Sequence, residues 1–156
     1  MTSLHIVAVG KLRPCFREAA DDYLARLSRY LPVDEREVKE AGRAGNDTAQ
    51  RREEGKRLAA LVPPGCLVVA LTRGGEAWSS AELARRLGRW RDEGRDVALL
   101  IGGATGLDDA LAEKATHRWG LGPLTLPHEL ARVVVLEQCY RATTILAGQK
   151  YHKGRR

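Results

Sequence analysis

Sulfur and aromatic rings are scarce in this chain, which has one phenylalanine, one methionine and three cysteines among 156 residues. Cys15, Cys66 and Cys139 are far apart, odd in number and set within apolar patterns. That arrangement fits buried thiols in a reducing compartment better than a disulfide framework or a zinc site, so no metal and a cytoplasmic protein are expected. No apolar run approaches the roughly 20 residues that cross a bilayer, and no basic-then-apolar segment opens the chain as a secretory signal would. No membrane partner is expected. Internal repeats of solenoid period are also missing, and residues 1–156 are expected to form a single domain with one core. What the sequence has in excess is positive charge: 26 Lys and Arg against 20 Asp and Glu give a formal +6. That balance favours a polyanionic partner without establishing one.

The pattern along the chain alternates strand and helix. Leu4-His-Ile-Val-Ala-Val-Gly10 is an apolar run closed by glycine, as a buried strand would be. Pro14 suits a first helical turn, and Phe16, Ala20, Tyr23, Leu27 and Tyr30 then recur on one helix face until Pro32. The mostly charged stretch Val33 to Glu40 fits only an edge strand. Asn46 or Asp47 caps a helix over about Thr48 to Val62. Its Arg51, Arg52, Lys56 and Arg57, beside Glu53 and Glu54, form either a solvated face or an RNA patch. Cys66 to Thr72 has the continuous apolar character of a central parallel strand, and Arg73-Gly74-Gly75 follows as a turn. Ser79 or Ser80 caps the next helix, with Glu82 completing a capping box and Leu83, Leu87 and Trp90 on the inner face. Asp96 to Ile101 is another strand, and Asp108 caps a helix from Asp109 to Trp119. Pro123 to Pro127 is a short strand or extended loop, and His128 to Ala147 is the longest helix. The fold class is therefore α/β, a mostly parallel sheet flanked by helices.

Two loops stand out, Ile101-Gly-Gly-Ala-Thr-Gly-Leu107 and Leu121-Gly-Pro-Leu-Thr-Leu-Pro-His128. Both should lie at one edge of the sheet, where α/β proteins bind ligands. The glycine turn is a poor dinucleotide fingerprint: it comes late in the chain, and no acidic residue ends the following strand. A cofactor role and a mere close-packing role both remain open for it.

The last helix is apolar on more than one face, through Val133 to Leu136, Leu130, Tyr140, Ile145 and Leu146. Burial in a deep core or pairing with a second subunit would explain this, and the second is favoured in a chain this small. Glu137 and Arg141, four apart, fit an intrahelical ion pair. The basic tail over 149–156, Gln149-Lys-Tyr-His-Lys-Gly-Arg-Arg156, has four cations and no acid. It is either a frayed end or, in a symmetric dimer, a segment that brings an aromatic and a titratable group to the partner's ligand edge.

These segments together carry a resemblance. Leu99-Leu-Ile-Gly-Gly-Ala-Thr-Gly-Leu107, Leu124-Thr-Leu-Pro-His-Glu-Leu-Ala-Arg132, Glu137-Gln-Cys-Tyr-Arg-Ala142 and Tyr151-His152 resemble the ribosomal RNA large subunit methyltransferase H family of the SPOUT superfamily, over nearly the whole chain. The resemblance implies a SPOUT α/β-knot fold with a C-terminal trefoil knot, a homodimer, and S-adenosylmethionine as methyl donor. The implied substrate is N3 of a pseudouridine in 23S rRNA of the large ribosomal subunit. The cofactor contacts it implies fall on Leu71, Gly103, Gly122, Pro123, Leu124, Thr125, Leu126 and Pro127. Following the same resemblance, His152 is the expected base or proton relay and Tyr151 an orienting or stacking group, with Arg132, Arg141 and Lys153 as RNA contacts. A non-enzymatic ribosome- or RNA-binding module, using the same basic tail, is the alternative from another class.

Overall fold

The computed structural model describes residues 2–154. Among these, strands β1 (Leu4–Val9), β2 (Val33–Val38), β3 (Leu67–Ala77), β4 (Val97–Ile101) and β5 (His117–Gly120) form one sheet in the order β2-β1-β4-β3-β5. Every pairing in it is parallel. The helices are α1 (Pro14–Leu27), α2 (Asp47–Leu61), α3 (Ser80–Asp92), α4 (Asp109–Lys114) and α5 (His128–Leu146), followed by a 3-10 turn at His152–Gly154.

Strand alternation assigns the layers. Leu4, Ile6, Ala8, Leu67, Val69, Val97, Leu99 and Ile101 face α1, α3 and α5. Val7, Val9, Val68, Ala70 and Leu100 face α2 and α4 on the other side. With both faces covered, the central strands can be continuously apolar, and they are. The charged strand β2 is an edge, as its composition requires. Caps fall where short polar side chains precede helical patterns: Asn46 accepts from Ala49 N at 2.8 Å, Ser79 from Glu82 N at 3.0 Å and Asp108 from Leu111 N at 3.3 Å.

Four sequence expectations are corrected. Helix α1 stops at Leu27, before Tyr30, which is left at the surface. Arg73-Gly74-Gly75 is not a turn that ends β3 but a bulge within it, since Leu71 and Glu76 both pair with Trp119. The helix after Asp108 ends at Lys114, and His117–Gly120 form β5 instead. Tertiary contacts decide this: Thr116 Oγ1 accepts from Val68 N at 3.2 Å, and Trp119 stacks on Trp78 with centroids 5.5 Å apart. Finally, α5 packs between α1 and α3 and Leu136 is fully buried there, while Leu130, Val133, Val134, Tyr140, Ile145 and Leu146 stay half-buried within one chain. Leu136 therefore belongs to the core and not to a dimer face.

The bulge and β5 meet at Gly75, where a Cβ would lie 2.6 Å from the Trp119 carbonyl carbon. Gly75→Ala is thus expected to force β5 off β3 and loosen the Trp78–Trp119 stack, lowering the melting temperature by several degrees. Thermal unfolding followed by tryptophan fluorescence reads both effects, and a parent-like curve would show that the two strands need not approach so closely.

Candidate functional site

A cleft of about 900 Å³ opens at the carboxyl ends of β3, β4 and β5. That volume suits a ligand the size of a nucleoside derivative. Its walls are the β3 bulge (Leu71, Thr72, Arg73, Gly74), the glycine turn from Ile101 to Leu107, and the loop from Leu121 to His128 apart from Pro123. Asp47 and Arg51 of α2, Asp109 and Ala112 of α4 and Ala131 of α5 complete it. The two loops singled out in the sequence thus share one site. Of the expected cofactor contacts, Leu71, Gly103, Gly122, Leu124, Thr125, Leu126 and Pro127 line the cleft, while Pro123 does not.

The glycine turn is tight for reasons internal to the fold. Gly106 N donates to Gly103 O at 3.0 Å, and a Cβ on Gly102 would lie 2.4 Å from the Gly106 carbonyl carbon. A Cβ on Gly103 would lie 2.9 Å from Val9 Cγ1. Close packing and cleft formation are therefore the same property here, and bulk at Gly103 would strain β1 as well as the site. Gly106 and Gly122 have φ of +91° and +110°, a region in which other residues are strained.

The walls keep hydrogen-bonding capacity for a ligand. Thr105 Oγ1 is buried with no hydrogen-bond partner. Among the described residues, the peptide groups of Gly122 to Leu126 make no hydrogen bond within the chain. Pro127 is the N-cap of α5 and offers no side-chain cap, so first-turn N–H groups also border the cleft. Apolar Ile101, Leu107 and Leu126 stand beside these polar groups. This pairing of apolar wall and free peptide groups fits a small ligand with both polar and apolar parts. One residue that sequence pattern does not connect to the loops is Arg51, which donates from Nη1 to Thr105 O at 3.2 Å; His128, the last residue of the second loop, also lines the cleft, at the start of α5.

Helix α5 is anchored to the rest of the molecule just behind the cleft. Glu129 accepts from Arg13 N and Arg13 Nε, both at 2.7 Å, and the backbone bond from Arg13 holds its carboxyl below the usual range. Arg132, expected at an RNA surface, is only 1% exposed. Its guanidinium pairs with Glu35 and Glu37 of β2 and donates to Val9 O at 3.3 Å and Gly10 O at 2.8 Å. This placement corrects the RNA-contact expectation: the long side chain is used inside the protein, on two carboxylates that Arg17 of α1 also binds and on two backbone carbonyls.

The tail docks on its own helix. Tyr151 donates to Glu137 Oε2 at 2.8 Å, its ring meets Tyr140 edge-on with centroids 4.8 Å apart, and the Arg141 guanidinium lies 4.8 Å above it. Burial, and then the bond to Glu137, push the Tyr151 phenol far above its ordinary value, so it remains protonated. His152 Nδ1 lies 3.2 Å from Arg141 Nη1. Arg141 in turn pairs with Glu137 at 2.7 Å, the intrahelical bridge expected from spacing. Lys153 is exposed, and Arg155 and Arg156 lie outside the described residues. Within one chain none of Tyr151, His152, Lys153 or Arg141 lines the cleft. The described part of the tail is thus docked, not frayed, but away from its own site.

Because Arg132 is buried between two carboxylates, Arg132→Ala is expected to destabilise the fold by about 3 to 5 kcal/mol. Adding Glu35→Gln and Glu37→Gln should recover only part of that loss, because Arg17 also pairs with both carboxylates. Urea denaturation of the two variants tests this, and a loss under about 1 kcal/mol for the single variant would mean that the network contributes little.

A family model described as Predicted SPOUT methyltransferase matches residues 2–152. The chain is 51% identical over 152 residues to Ribosomal RNA large subunit methyltransferase H of Rubrobacter xylanophilus, covering 94% of this chain and 96% of that protein. The protein of the same name from Thioalkalivibrio sulfidiphilus is 44% identical over 153 residues, covering 96% and 98%. A probable methyltransferase from Bordetella pertussis Tohama I, at 19% identity, superposes over 91% of this chain and 96% of its own with a TM-score of 0.57, which shows a common fold. A parallel sheet with its cleft at the carboxyl edge, a family match spanning nearly every residue and relatives of matching length agree: the chain belongs to the SPOUT methyltransferases, in the ribosomal RNA large subunit methyltransferase H family.

Proposed function

We propose that this protein is a cytoplasmic, S-adenosylmethionine-dependent methyltransferase acting on N3 of a pseudouridine in 23S rRNA of the large ribosomal subunit. The observation that carries the reading is the cleft whose glycine turn and 121–128 loop present unpaired peptide groups beside apolar walls, in a chain whose relatives are named for methylation of large-subunit rRNA. When bound, S-adenosylmethionine supplies an electrophilic methyl group on a sulfonium. Leu71, Gly103, Gly122, Leu124, Thr125 and Leu126 would hold it, with Pro127 fixing the end of that segment. A non-enzymatic RNA-binding module has no use for such a cleft and is the weaker reading.

The remaining work of the chain is to position the base and to accept a proton. As N3 becomes the nucleophile its proton must go to a nearby group, and alignment accounts for most of the rate gain. Tyr151 cannot be that group, because its phenol stays protonated and donates to Glu137. We assign it to orienting the tail. His152, held beside Arg141, is the proton acceptor in this reading, and Lys153 with Arg141 contacts the RNA. Since these residues lie off their own cleft, they serve the cleft of a second copy in a homodimer, in keeping with the trefoil-knotted dimer that the family resemblance implies. His128, which lines the cleft of its own chain, is the competing acceptor.

Transfer of a labelled methyl group to unmodified large subunits tests the reading. Removal of Tyr151 to Arg156 is expected to abolish transfer while leaving S-adenosylmethionine affinity, measured by calorimetry, within about twofold of the parent, since no cleft wall is removed. His152→Ala alone should lower kcat by about a hundredfold or more. Parent-rate transfer by the tail-less protein would move the proton acceptor to His128, and no transfer by the intact protein would refute the function.

A further inference from the structure

The rim of the cleft carries two arginines whose charge the fold does not neutralise. Arg51, in the first turns of α2, is half-buried and donates to Thr105 O at 3.2 Å and to Thr48 Oγ1 at 3.4 Å. Its Cδ lies 4.0 Å from where a Cβ on Gly106 would sit, so its stem packs on the glycine turn. Arg73 stands exposed on the β3 bulge at the same cleft. Among the described residues neither has a carboxylate at ion-pair distance, whereas Arg17, Arg86, Arg132 and Arg141 each do. The acids on the same rim, Asp47 and Asp109, are first-turn residues of α2 and α4. Helix N-termini compensate acids there, so the uncompensated charge at the mouth is positive.

We infer that Arg51 and Arg73 grip the RNA phosphates flanking the nucleotide whose base enters the cleft, an inference that rests on the rRNA substrate proposed above. A base that enters leaves its flanking phosphates at the mouth, where these guanidiniums stand. Arg51 has donors to spare after its two bonds, and a planar guanidinium can serve a carbonyl and a phosphate oxygen together. It thereby ties the glycine turn, a wall of the donor site, to the RNA backbone. A lysine can neutralise the phosphate but cannot span both oxygens in fixed geometry. The competing anion is the carboxylate of the methyl donor itself.

The test measures binding of unmodified bacterial large ribosomal subunits to the full-length protein, with S-adenosylhomocysteine present, across a series of KCl concentrations. Arg51→Gln and Arg73→Gln should each weaken binding several-fold and reduce the slope of log affinity against log salt by about 0.7 to 0.9, the loss expected for one phosphate contact. Arg51→Lys should keep the slope yet still bind more weakly. Arg73 is exposed, so its variant reports even if Arg51→Gln disturbs the glycine turn. An unchanged slope for Arg73→Gln overturns the two-residue grip. So does a loss of S-adenosylhomocysteine affinity at constant slope, which would assign the arginines to the donor's carboxylate. If the parent protein itself fails to bind subunits, the rRNA substrate falls and the grip with it. Parent binding with unaltered variants removes the grip alone.

Discussion

Arg132 connects three parts of the chain that are distant in sequence and have to be close for the cleft to exist. Its guanidinium, buried in α5, reaches Glu35 and Glu37 on the edge strand β2 and the carbonyls of Val9 and Gly10 where β1 ends. One turn earlier, Glu129 binds the start of α1 through Arg13. The 121–128 loop runs straight into this anchored turn, so the position of one cleft wall is set by charges that never face the ligand. A buried ion pair is a weak source of net stability, because desolvation offsets the attraction. Its value here lies in register: one guanidinium spans the β1 carbonyls and the β2 carboxylates, which Arg17 of α1 also binds, and so ties α5 to both strands. Arg132 Nε, buried with no hydrogen-bond partner, shows that even this network is not fully satisfied.

The opposite wall depends on backbone instead of charge. The 72–75 bulge and β5 can approach only because Gly75 lacks a side chain, and the glycine turn folds back on itself at Gly102. Polar peptide groups then border the cleft, with the unpartnered Thr105 hydroxyl among them. Unmet donors and acceptors in a folded protein are costly unless water or a ligand meets them. At the cleft the Thr105 hydroxyl and the peptide groups of Gly122 to Leu126 are of this kind, which is what a binding site for a cofactor with many polar atoms requires. The tail answers a different demand. Tyr151 is held protonated against Glu137, which gives His152 and Lys153 a defined place on the outer side of α5.

Local pattern makes much of this architecture legible in the amino-acid sequence. The apolar runs of β1, β3 and β4, the caps at Asn46, Ser79 and Asp108, and the two loops all follow from it, and the fold agrees at each. What stays hidden depends on distant partners. His117-Arg-Trp-Gly120 has one large apolar side chain and reads as the end of a helix, and only Trp78 and Val68 reveal it as a strand. Arg132 looks like a surface cation because its carboxylates lie nearly a hundred residues away. Glu137 appears satisfied by Arg141 four residues on, which conceals its second partner, Tyr151. Arg51 is one cation in a mixed helix face until the glycine turn is seen beneath it.

The central claim is that the methyl donor is held by peptide groups of the glycine turn and the 121–128 loop. Titration of S-adenosylhomocysteine into isotopically labelled protein, followed by amide chemical shifts, addresses it most directly. The largest shifts are expected at Gly103 to Gly106 and Gly122 to Leu126, with Thr105 among them, and little change along α1 or at Tyr151. Saturable binding whose shifts fall instead on the far end of the helical layer, around Tyr30, Leu87 and Ala147, would contradict it.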